Sequence, residues 1–163
     1  MILAFWGNVL KRDLLGETRE EDKNHSRVQL NKDLEEKIKK GGEIVIKDSD
    51  CSQVKDLSDL FKGLCDNVKS LDLPGWKTSN VENMSGMFAY CENLKSLNLS
   101  GWDTSKVEDM SLMFANCKNL ESVDLSNWDT SNVKDMIGIF DSCPALYKVV
   151  DNQIIKKLNT MWQ

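Results

Sequence analysis

The sequence predicts an α/β solenoid. Stacked copies of one short coil place a parallel β-sheet on one wall and short helical or irregular segments on the other, with helical caps at both ends. Three observations predict it: a unit that recurs every 26 residues, a change of apolar period inside that unit, and amphipathic stretches flanking the repeated region.

The recurrence is direct. Ser70-Leu-Asp-Leu-Pro-Gly-Trp76 through Val81, Met84, Met87, Phe88, Cys91 and Leu94 returns as Ser96-Leu-Asn-Leu-Ser-Gly-Trp102 through Val107, Met110, Met113, Phe114, Cys117 and Leu120. A third copy runs from Ser122 through Trp128, Val133, Met136, Ile139, Phe140 and Cys143 to Leu146. An upstream unit holds Ile44-Val-Ile46, Cys51, Val54, Leu57 and Phe61, with one extra residue before Cys65, and Leu146-Tyr-Lys-Val149 opens a further unit. A single unit of this size cannot bury its own apolar face, so units must stack on one another.

Inside a unit, the alternation Leu97-Asn98-Leu99 reads as a short strand with both leucines inward and Asn98 outward. Ser100-Gly101 is turn chemistry. Asp103 and Ser105 then suit a corner, where their side chains can bond nearby backbone amides. Met110, Met113 and Phe114 stand at helical spacing and predict a turn or two of helix on the opposite wall. The expected organisation is a helical cap and charged linker over residues 1–42, four to five rungs over 43–150, and a capping helix over 151–163. Within the first segment, residues 31–42 read as a short helix followed by glycines, and Leu3, Trp6, Leu10 and Leu14 form a second amphipathic stretch. Ile154, Ile155, Leu158, Met161 and Trp162 supply the apolar face at the other end. These covers are needed because terminal repeats otherwise expose core.

The run Leu-x-Leu-Ser-x-Trp-Asp-Thr-Ser-x-Val-x-Asp-Met-Ser-x-Met-Phe, over residues 97–114, resembles the leucine-rich-repeat variant of BspA-family bacterial surface proteins. It is most similar to the Trp-Asp-Thr-Ser-Asn-Val type of bacterial surface lipoproteins, and the likeness extends over about residues 30–150. The resemblance implies a leucine-rich-repeat-like parallel solenoid. For surface members it implies adhesion to host proteins or other cells.

Composition excludes several partners. With 21 Lys and Arg against 26 Asp and Glu, the net charge is −5, and no basic stripe stands out in either part of the chain. Nucleic acid and anionic membrane surfaces, which need clustered cations, are not expected. Residues 1–10 are apolar but fall short of the roughly 20 residues that span a bilayer, and they lack the layout of a signal peptide. As written, the chain is expected to be soluble and without an export signal, so its localisation stays open.

Three constellations invite a chemical reading. Cys65, Cys91, Cys117 and Cys143 fall one period apart and form a ladder down one corner. Tetrahedral zinc sites use close cysteine pairs, and the odd total of five cysteines argues against a disulfide framework, so buried small apolar thiols are the favoured reading. Trp76, Trp102 and Trp128 could offer a platform for sugars, but one indole per unit at a fixed corner suits a stacked ladder better. His25 is the sole histidine and stands in a polar linker. Neither a symmetry-breaking nucleophile or base nor a glycine-rich phosphate loop occurs, so no catalytic residue, cofactor or metal is expected.

The expected function is a non-enzymatic protein-binding module that docks another protein on the outward side of its sheet. The candidate face comprises Ser70, Asp72, Ser96, Asn98, Ser122, Asp124 and Lys148. An intracellular scaffold or neutralising partner protein is the alternative, and an enzyme a distant second one.

Overall fold

The computed structural model describes residues 34, 37–47 and 49–146. Among them, β1 (Gly42–Val45), β2 (Val68–Asp72), β3 (Ser96–Asn98) and β4 (Ser122–Val123) form one sheet in that order, and every neighbouring pair is parallel. Parallel neighbours cannot be joined by a tight hairpin, so each connection must travel around the molecule and return. The repeat supplies that path, and the register confirms its length: Ser70 aligns with Ser96 and then Ser122, and Leu71 with Leu97 and then Val123.

The first coil is one residue longer. Glu43 aligns with Ser70 and Ile44 with Leu71, and the register shifts between Gly42 and Glu43. Three residues separate Phe61 from Cys65 where two separate Phe88 from Cys91. The surplus is absorbed at Leu64, which lies partly buried against the core.

The opposite wall differs from the helix that the spacing of Met110, Met113 and Phe114 predicts. It is a stack of turns, entered at parallel bridges that join Asp56, Asn83, Asp109 and Asp135 in sequence. The amides divide their bonding by parity. Met110, Leu112, Phe114 and Asn116 donate across to Asp135, Ile137, Ile139 and Asp141 of the next rung, at 2.9, 2.9, 2.9 and 2.7 Å. Met113, Ala115 and Cys117 donate instead to carbonyls three residues back in their own rung. An α-helix would keep all its amides bonded within one segment. Here half of them tie rung to rung, and the three-residue turns between reproduce helical side-chain spacing without a helix.

This alternation needs left-handed backbone at two positions per rung: Asp59, Gly86, Leu112 and Gly138 in one column, and Gly63, Tyr90, Asn116 and Ser142 in the other, with φ between 55° and 65°. In the first column side chain and glycine alternate for a second reason. A Cβ on Gly86 would collide with Asp59 Oδ1, and one on Gly138 would stand 2.8 Å from Leu112 Cδ2.

Between the walls the core is built of ladders. Phe61, Phe88, Phe114 and Phe140 stack with centroids 5.2, 5.7 and 5.6 Å apart, within the range where offset aromatic pairs attract. Trp76 and Trp102 stack at 5.6 Å, and their indole N–H groups donate to the carbonyls of Ile46 and Leu73, each at 2.8 Å. Buried Thr78 and Thr104 hydroxyls donate to the carbonyls of Asp103 and Asp129, so even the polar core residues bind the following rung. Leu34 and Ile38 join the cluster from the N-terminal side, where Lys37 and Ile38 are helical. The remainder of that expected cap, the stretch over residues 1–15, and the helix over 151–163 lie outside the described residues.

Candidate functional site

The outward side of the sheet places the predicted residues in two columns. Ser70, Ser96 and Ser122 align in one, and Asp72 and Asn98 align in the next, with Asp124 following Val123 at the end of β4. Ser96, Asn98, Ser122 and Asp124 are exposed, whereas Ser70 and Asp72 are half-buried; Lys148 lies outside the described residues. Both columns are hydrogen-bonded between β2 and β3. Ser96 Oγ donates to Ser70 Oγ at 2.8 Å, and Asn98 Nδ2 donates to Asp72 Oδ1. At the strand ends, Asn98 Oδ1 accepts the Ser100 amide and Asp124 Oδ1 the Ser126 amide, both at 2.9 Å. The Ser126 hydroxyl and amide hold the Asp124 carboxyl below its ordinary range, so it is ionised at neutral pH. The result is a flat, polar face that the fold pre-orders.

The same aspartate device recurs at the other corners. Asp103 Oδ1 accepts the Ser105 amide at 3.0 Å, and Asp109 Oδ1 the Ser111 amide at 2.8 Å. These carboxylates are turn chemistry, as the repeat implies. A separate open depression of about 280 Å³ is lined by Asp66, Asn67, Lys69, Asn93, Lys95 and Asn119. Asn93 and Asn119 there donate to the carbonyls of Asp66 and Glu92 one rung earlier, so their amides already serve the stack.

The reactive side chains face inward. All five cysteines are free and buried. Cys91, Cys117 and Cys143 donate their thiols to the carbonyls of Phe61, Phe88 and Phe114, at 3.2, 3.1 and 2.8 Å. Burial pushes the Cys51 thiol up to about 12 and that of Cys91 well above its ordinary value. Thiolate is the nucleophile and the metal ligand, so Cys51 and Cys91 are held in their inert form. Cys91 and Cys117 are expected to react slowly with a thiol reagent in the native protein and fast after denaturation. Rapid native labelling followed by absorbance would contradict that burial. Trp76, Trp102 and Trp128 are likewise buried, Trp128 being the most accessible of them at 7%, which leaves none of these three indole faces free to stack on a sugar.

No grouping of three His, Cys, Asp or Glu that could hold a metal ion occurs among the described residues, nor does a helix long and apolar enough to cross a membrane. His25 lies outside them. What sequence reasoning missed is on the turn wall, where Tyr90, Leu112 and Ile137 are exposed at 50%, 47% and 64%. The signal was present: at these repeat positions the other rungs carry Gly, Asn, Ser or Asp.

No curated protein and no solved structure matches the chain. Residues 55–163, two-thirds of its length, match the family model described as "Mycoplasma protein of unknown function, DUF285". That span contains the three near-identical units, the whole ladder from Cys65 to Cys143, and three of the four strands. The chain belongs to the DUF285 family.

Proposed function

We propose that this protein is a non-enzymatic recognition module, a capped solenoid of leucine-rich-repeat type that binds another protein through the outward side of its sheet. The observation that favours this reading is the registered polar face. Ser70, Ser96 and Asn98 stand on strands paired on both sides, and Ser122 on a strand paired to β3 with Asp124 just beyond it, so docking there costs little ordering of the protein. The chemistry that catalysis would use points the same way, because the thiols are buried and the recurrent aspartates are occupied in turns. On this reading the likeness to BspA-type repeats extends to use, and adhesion or recognition at a cell surface is the biological role. No cofactor takes part.

The test separates binding from folding. Asn98→Ala removes an exposed amide together with its bonds to Asp72 and the Ser100 N–H, so stability should fall by only about 1 kcal/mol. That corresponds to a shift of about 2–4 °C in Tm for a chain of this size. A protein captured by the wild-type chain should be captured several-fold less by Asn98→Ala. Undiminished capture by Asn98→Ala and by Asp124→Ala would remove the sheet face as the docking surface.

A further inference from the structure

Where a repeat protein departs from its own repeat, something other than stacking has chosen the residue. Three such departures on the turn wall expose large apolar side chains. Ile137 stands where Ser58, Ser85 and Ser111 stand in the other rungs. Leu112 occupies the column of Asp59, Gly86 and Gly138, and Tyr90 that of Gly63, Asn116 and Ser142. Two of these choices are costly to the fold itself. Leu112 and Tyr90 sit at φ 55° and 62°, where glycine, asparagine or aspartate is tolerated and other side chains are strained. Burial compensates this only in part, since Leu112 is 47% and Tyr90 50% accessible. Strain retained for so small a packing return is a mark of functional surface.

The three residues share one wall. The Leu112 amide donates to the Ile137 carbonyl at 2.9 Å, which sets these two in adjacent rungs, and Tyr90 lies one rung earlier on the same wall. Their surroundings are anionic. Residues 55–63, 82–90, 108–116 and 134–142 together carry seven carboxylates and three lysines. Each of those lysines is engaged by a carboxylate of the same wall: Lys55 with Glu82, Lys62 with Asp59 at 3.0 Å, and Lys134 with Glu108 at 2.8 Å. This wall therefore holds a surplus of four negative charges out of the chain's net −5.

We infer that the turn wall is a second docking surface, on which Tyr90, Leu112 and Ile137 anchor an amphipathic, positively charged segment of a partner protein. Apolar side chains of that segment cover the stripe, and its Lys or Arg residues meet the carboxylates that frame it. Electrostatic matching of this kind speeds encounter and fixes orientation, while the apolar anchors supply most of the affinity. The inference rests on the reading of the chain as a binding module, but not on its sheet face.

The test uses residues that the repeat already accepts. Tyr90→Asn, Leu112→Gly and Ile137→Ser return each position to the residue found in another rung, so the triple variant should fold and keep its Tm. A fluorescently labelled leucine–lysine amphipathic peptide is titrated against the full chain, alongside its leucine–glutamate counterpart. The wild type should bind the lysine peptide in a salt-dependent manner, and the triple variant about tenfold more weakly or worse, while Asn98→Ala binds like wild type. Equal binding by wild type and triple variant, or binding of the glutamate peptide as tight as that of the lysine peptide, would overturn the proposal. So would sedimentation showing a wild-type dimer that the triple variant loses, because a second copy would then be the occupant. Since Asn98→Ala leaves this stripe untouched and the triple variant leaves the sheet face untouched, failure of one surface is distinguishable from failure of the other.

Discussion

Replacing Phe114 by alanine is expected to destabilise the protein by about 3–5 kcal/mol, the range for a fully buried phenylalanine. The ring is wholly enclosed and lies between two stacked partners, Phe88 at 5.7 Å and Phe140 at 5.6 Å, with Trp128 tilted against it at 6.4 Å. Its loss removes both stacking contacts and opens a void in the third rung. The backbone around that void has little freedom to collapse, because Phe114 N–H bonds Ile139 of the next rung and its carbonyl accepts the Cys143 thiol. Since a domain of ordinary stability has about 5–15 kcal/mol in total, this one change should consume a large share of it. Urea denaturation followed by tryptophan fluorescence measures the effect. A loss below about 2 kcal/mol would mean that the ladder relaxes, contrary to the rigidity of a close-packed core.

The phenylalanine ladder also shows how much of this fold the residues declare. A recurrence of 26 residues places Phe88, Phe114 and Phe140 at one level of successive coils before any coordinate is known, and the stacking follows from strand spacing alone. The same arithmetic places Leu71 against Leu97, and the Ser70, Ser96 and Ser122 column on the outward side. The turn wall was less legible. Met110, Met113 and Phe114 have the spacing of a helix, and side-chain spacing reports where groups point rather than where amides bond. The decision against a helix lies in the backbone, where Met110, Leu112 and Phe114 serve the next rung. A hint lay in Gly86 and Gly138, which are poor helix residues on this wall, yet their left-handed column also holds Leu112, which no propensity would place there.

The candidate surfaces divide in the same way. The sheet face is a product of the repeat, so its residues were named from periodicity. The stripe of Tyr90, Leu112 and Ile137 is a product of departures from it, and reads as noise when copies are compared for what they share. Only exposure and positive φ distinguish these substitutions from drift at solvated positions. The thiol ladder lies between the two cases. Its period was plain in the sequence, but the carbonyls of Phe61, Phe88 and Phe114 that receive the thiols belong to the neighbouring coil, and stacking alone brings them together.

Leu99→Ala should cost about 2–5 kcal/mol, the range measured for buried leucines. Leu99 is only 2% exposed although it falls just beyond the end of β3, and its equivalents Leu73 and Leu125 in the adjoining coils are 0% and 4% exposed. The strand-end backbone on either side is fixed: the Leu73 amide donates to the Asn98 carbonyl at 2.9 Å, and the Trp102 amide to the Leu99 carbonyl at 3.3 Å. The cavity is therefore bounded by bonded backbone and by two further leucines that cannot slide along the ladder without breaking register. In a linear array each coil is stabilised by its two neighbours, so a loss in this interior coil weakens two interfaces at once. The sharp comparison is with Asn98→Ala one residue away, which is exposed and loses only its bonds to Asp72 and the Ser100 N–H, and should cost about 1 kcal/mol. Parallel urea titrations of the two variants decide the matter. Equal destabilisation would mean that the faces of β3 are reversed, and the outward polar face would lose its basis along with them.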